Sequence, residues 1–176
     1  MRSLKRIFVL FGAFAISTNN LVAQHNLQTK RYLKSLDKAI EKNFQNHSEL
    51  IHNKSQLKNA PKRMILLEIK NTTTGNIVGW AGLAQAKGRQ DYFDFLVLYD
   101  SQLELKHLEI LQYRSSHGYQ INSGRWLEHF TGLAAQDTII KGRQVDGISG
   151  ATMSVDGLIE KINEMGSFMH NRALEY

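Results

Sequence analysis

The run Tyr92-Phe93-Asp94-Phe95-Leu96-Val97-Leu98-Tyr99 constrains the fold of this chain more than any other stretch. Aromatic and aliphatic residues dominate it, and Asp100-Ser101 closes it with turn-forming side chains. That pattern predicts a strand, and Leu105 to Tyr113 is its antiparallel partner across a short turn. Two further strands precede the pair. Met64-Ile65-Leu66-Leu67-Glu68-Ile69 is the first, Asn71-Thr72-Thr73-Thr74-Gly75-Asn76 reverses the chain, and Ile77 to Leu83 returns. Gly79 and Gly82 in the returning strand mark a close backbone approach or a bulge. The alternation of Tyr92 and Asp94 with Phe93 and Phe95 predicts a sheet with one buried face.

Helices flank this sheet. Leu27, Leu33, Leu36, Ile40 and Phe44 punctuate a charged segment, which reads as an amphipathic helix on the domain's edge. A polar connection from Gln45 to Ala60 follows and ends at Pro61, the only proline. Beyond the sheet come a loop from Arg114 to Ser123, a short helix around Arg125 to Phe130, and a second loop from Ala134 to Val145. Val155, Leu158, Ile159, Ile162 and Met165 then make one apolar stripe at the 3.6-residue period of a final helix. The order predicts a single α+β domain, a small antiparallel sheet with flanking helices.

The chain opens with Arg2, Lys5 and Arg6, continues through an apolar run from Ile7 to Ile16, and reaches Leu21-Val22-Ala23-Gln24. This is the form of a secretory signal peptide, with cleavage expected after Ala23 and Gln24 as a near alternative. The apolar run is shorter than the ~20 residues of a membrane span, and retention as a membrane anchor is the alternative. The expected division is therefore a signal peptide over 1–23, an N-terminal helix and connection over 24–60, and the main domain over 61–176. Export is therefore expected, to the periplasm if the cell is bacterial, with membrane association left open.

The chain has no cysteine, so an exported domain of this kind has no disulfide and no lipidated thiol. Iron–sulfur clusters and covalently attached c-type haem are excluded as redox centres on the same ground. About 150 mature residues are enough to bury a core without such support. The formal net charge of +6 falls to +3 without the signal segment, and the remaining basic residues are spread along the chain. That charge pattern argues against a nucleic-acid partner.

Asp146-Gly147-Ile148-Ser149-Gly150-Ala151-Thr152-Met153-Ser154 runs directly into the final helix. Gly147 and Gly150 let the backbone turn sharply and approach a bulky ligand. Free N–H groups and the helix dipole at the following helix start favour an anion, and Asp156 suits a first turn. Spacing alone supports an anion site there, or an ordinary N-cap by Ser149 or Thr152.

The motif resembles the attachment sequence of the FMN-binding domain family, the covalent-FMN domain found in the sodium-translocating NADH:quinone reductase and in the Rnf complex. The similarity extends from about Met64 to the C-terminus. Gly79-Trp80-Ala81-Gly82 is similar to the family's glycine-aromatic strand, Tyr92 to Asp100 to its following hairpin, and Gly124 to Gly132 to its tryptophan-phenylalanine-glycine segment. The resemblance implies a small stand-alone exported member carrying FMN in phosphoester linkage on Thr152. It places Asp146, Gly147, Ser149, Gly150 and Ala151 around the cofactor, with Trp126 either stacked on the isoalloxazine or buried in the core.

The same resemblance implies a flavin transferase that uses FAD as donor and needs Mg²⁺. It further implies electron transfer between a membrane reductase and a periplasmic acceptor. In one respect the chain departs from the family. The respiratory-complex members carry a Glu-Thr-Pro-Gly loop after the hairpin, whereas the equivalent stretch here is Arg114-Ser115-Ser116-His117-Gly118-Tyr119. His117 and His129 either donate to the ring or lie on the surface. No catalytic triad and no metal-ligand spacing is legible. Two other readings stand beside the carrier: a small flavin-dependent reductase, and a non-enzymatic binding or structural module in which the motif is only a turn.

Overall fold

The computed structural model describes residues 22–44, 50–53, 60–71 and 73–174, with the side chains of 22–29 and 50–53 left aside. The expected signal segment lies outside the described residues, except that Val22 and Ala23 begin the first helix. In chain order the elements are α1 (Val22–Asn43), β1 (Leu50–Asn53), β2 (Met64–Asn71), β3 (Ile77–Lys87), β4 (Tyr92–Asp100) and β5 (Leu105–Gln112). They continue with a 3₁₀ turn (Tyr119–Asn122), the one-turn α2 (Gly124–Leu127), a second 3₁₀ turn (Glu128–Phe130) and α3 (Thr152–Ala173). The chain thus folds as the expected single α+β domain. Among the described residues no helix is long and apolar enough to cross a membrane.

The five strands form one antiparallel meander in the order β1-β2-β3-β4-β5. The fifth strand is a correction. Leu50–Asn53 falls within the stretch expected to be only a connection, yet it pairs with the second half of β2, from Leu50 opposite Asn71 to Asn53 opposite Glu68. The outer edge of β2 carries backbone N–H and C=O groups that need partners, and a short edge strand supplies them whatever its side chains are.

A second correction concerns β4, which is buried on both faces and not on one. Phe93, Phe95, Val97 and Tyr99 pack towards α3 together with Trp80, Val155, Leu158, Ile162 and Met165. Leu96 and Leu98 pack on the opposite face with Leu67, Ile69 and Ala81, and there Leu36, Ile40 and Phe44 of α1 cover them. The near-continuous apolar run of β4 is the signature of a central strand between two layers. All five apolar residues of the predicted final stripe, from Val155 to Met165, are buried.

Gly79 and Gly82 do mark close approach, to Phe44 of α1 on one face and to Met165 of α3 on the other. The tightest seat is Gly157, where a Cβ would lie 2.1 Å from the Lys87 carbonyl oxygen. The first turns of α3 therefore rest directly on the backbone at the end of β3.

Polar contacts tie α1 to the sheet. Asp94 is only 5% exposed, yet it accepts hydrogen bonds from the Tyr32 hydroxyl, from the Arg114 guanidinium and, at 2.8 Å, from the Gln85 amide. Burial, and then the bond to Asp94, pushes the Tyr32 phenol well above its ordinary pKa. A buried carboxylate persists because its lone pairs are met.

Candidate functional site

Residues Asp146 to Ala151 form an irregular loop that delivers Thr152 as the first residue of α3. Gly150 has φ 81°, a left-handed conformation that favours glycine, and this reversal aims the chain into the helix. Ala151 is the N-cap and is buried at 3% exposure, while Thr152 on the next position is exposed. Among the described residues no side chain caps the helix, so neither Ser149 nor Thr152 serves as its N-cap. The Ser154 and Val155 amides donate to the Ala151 carbonyl at 2.9 and 3.0 Å. The Thr152 and Met153 amides have no acceptor among the described residues and stand as free donors at the positive end of the helix.

Two loops flank this helix start. The loop from Arg114 to Ser123 lies against it at Gly118, which has φ 84°. A Cβ on Gly118 would lie 2.6 Å from the Tyr113 hydroxyl and 3.4 Å from both the Ala151 Cα and the Ser154 Oγ. Tyr113, just past β5, shares a 2.8 Å hydrogen bond with the buried Ser154 and donates at 2.7 Å to the His117 carbonyl. The Arg114–Ser123 loop is thereby held against the start of α3. On the other side Lys141 pairs with Asp156, and a Cβ on Gly147 would sit 3.6 Å from the Lys141 side chain. Both members of that pair are exposed, so it contributes little to stability.

Of the residues expected around a cofactor, Asp146, Gly147, Ser149, Gly150 and Thr152 are all at least partly exposed on this loop and helix start, and Ala151 lies beneath them. Trp126 belongs to the core. It is 9% exposed, meets Phe130 edge-on at 5.2 Å between ring centroids, and donates from Nε1 to the Asp146 carbonyl at 2.9 Å. Its place in the site is thus underneath, holding the loop. His117 and His129 are exposed.

The contributions of Tyr113, Tyr119 and Ser154 are not legible in sequence. Gly118 alone carries a signal, as a lone glycine in a polar loop. Tyr113 and Ser154 are 41 positions apart, and nothing local links them. Tyr119 and Met153 are large apolar side chains left 69% and 53% exposed beside the helix start. Ile140, which precedes Lys141, is likewise exposed.

The donor set fits a phosphate ester on Thr152: an accessible hydroxyl, two free amides, a left-handed glycine and no carboxylate cap competing for the dipole. No protein-family model and no curated protein matches this chain.

Proposed function

We propose that Thr152 carries FMN through a phosphoester bond and that the protein is an electron-transfer flavoprotein working between a membrane reductase and a periplasmic acceptor. The observation that most supports this reading is the setting of Thr152, an exposed hydroxyl on the first residue of an uncapped 22-residue helix. A phosphate there adds negative charge at the positive end of the helix and meets amide donors already aligned. The family resemblance of the surrounding motif supplies the identity of the group.

In maturation the Thr152 hydroxyl loses its proton and forms the new P–O bond, while the pyrophosphate bond of FAD breaks and AMP leaves. A flavin transferase with Mg²⁺ would catalyse that exchange. The flavin supplies reversible electron transfer when bound. The chain's own residues anchor it at Thr152, shape the loop through Gly150, and hold that loop from below through Trp126.

The test is the intact mass of the protein co-expressed with a flavin transferase, with in-gel flavin fluorescence after denaturation. A gain of one FMN less one water, absent in Thr152→Ala, is the expected result. An unchanged mass would overturn the proposal and leave the motif as a turn in a structural or binding module.

A further inference from the structure

We propose a second, separate site: a cleft between α3 and one end of the sheet that binds a small phosphate monoester. The cleft has a volume of about 260 Å³ and is lined by Lys62 and Arg63 ahead of β2, Gln85 and Lys87 of β3, and Tyr92 of β4, with Lys161 closing it from α3. That volume lies just below the ~300 Å³ at which ordinary ligand pockets begin, so the occupant is small.

Arg63 carries the argument. It is one of two non-glycine residues with positive φ among the described residues, at 62°, a conformation that costs stability for a side chain with a Cβ. The surroundings hold it there. Its carbonyl accepts from the Gln85 amide at 3.0 Å, its Nη1 donates to Gln85 Oε1 at 2.9 Å, and its guanidinium lies 4.0 Å above the Tyr92 ring. Gln85 is in turn fixed by the buried Asp94. The guanidinium is therefore pre-positioned at the cleft wall by a chain of contacts running into the core. Most of its donors remain available, in the planar fork that suits an oxyanion.

The charge around it is unbalanced. Among the described residues Lys62, Arg63 and Lys87 make no ion pair. Lys161 pairs with Glu164 and also reaches the Lys62 carbonyl at 3.5 Å, which draws its ammonium to the cleft. Among the described residues Glu160 is the only acidic one that lines the cleft. In the proposed complex its carboxylate would accept a hydroxyl from the ligand and repel a second anionic group, which favours a monoester with a free hydroxyl over a polyanion. The same headgroup exists free in solution or on a lipid, as in glycerol 3-phosphate and phosphatidic acid.

The experiment titrates the full chain with glycerol 3-phosphate by calorimetry and amide NMR. A parallel arm uses phosphatidylcholine vesicles with and without phosphatidic acid. Saturable binding is expected, with shifts at Arg63, Lys87 and Gly157 and weakening as salt is raised. Affinity is expected to fall about tenfold in Arg63→Gly and in Lys87→Gln, the usual consequence of losing one charge-assisted contact. Glycine accepts the left-handed conformation, so Arg63→Gly removes the guanidinium without backbone strain. Lys87→Gln, at an exposed position, provides the test if that variant is unstable. Binding of vesicles alone, lost in both variants, would assign the site to a lipid headgroup and support the proposal. No saturable binding in either arm, or equal affinity in parent and variants, would overturn it. Neither arm depends on flavin attachment at Thr152.

Discussion

The Tyr113 hydroxyl and the Ser154 Oγ lie 2.8 Å apart and join the end of β5 to the first turn of α3. Because the same hydroxyl also donates to the His117 carbonyl, one phenol fixes the flanking loop and the helix start together. Tyr113→Phe leaves the buried Ser154 hydroxyl without that partner, at a cost of about 1–3 kcal/mol. Urea unfolding measures that loss, and hydrogen exchange is expected to rise first in the 114–123 loop and at the start of α3.

Thr152 makes no capping bond among the described residues, so its substitution separates the proposed flavin attachment from folding. Thr152→Ala is expected to change stability by no more than about 0.5 kcal/mol, as at other exposed positions away from special features, while abolishing covalent flavin. Thr152→Ser keeps the hydroxyl and is expected to retain the mass gain. Loss of attachment in both variants would point to the β-methyl or to a recognition defect instead of the nucleophile.

Gly157→Ala tests how α3 is seated. Replacing glycine in an exposed helix interior ordinarily stabilises by about 1 kcal/mol. Here the new methyl would meet the Lys87 carbonyl, so the expected sign is reversed and the variant loses about 1–3 kcal/mol, as in other overpacked contacts. A stabilised Gly157→Ala protein would show that the helix is not clamped to β3 in solution.

Tyr32 predicts an alkaline limit. Its pKa is raised in the folded chain, first by burial and then by the bond to Asp94, so the folded state holds the phenol proton more tightly than the unfolded chain. The stabilisation is complete below the ordinary phenol value of 10.0 and declines as pH rises above it towards the folded value. Tyr32→Phe is expected to flatten that decline in thermal scans above pH 10 and to lower stability at neutral pH, because Asp94 loses a donor. Buried Tyr99 is raised by burial as well, so some slope is expected to remain.

Local pattern determined much of this protein. The β4–β5 pair, the reversal at Asn71 to Asn76 and the α3 stripe all rest on side chains within a few positions of one another, where periods of 2 and 3.6 write directly into sequence. The placement of Thr152 at a helix start belongs to the same class, since the stripe that follows it sets the boundary. Tertiary structure decided the rest. Strand β1 exists because the β2 edge needs backbone partners, not because Leu50 to Asn53 carry a strand pattern. The second buried face of β4 depends on α1, whose Leu36 and Ile40 lie more than fifty positions earlier. Trp126 under the Asp146 carbonyl, Tyr113 against Ser154, and Arg63 held over Tyr92 beside Lys87 join residues far apart in the chain. Such contacts have no period to read, because only chain reversal through the sheet brings their atoms within hydrogen-bonding or stacking range.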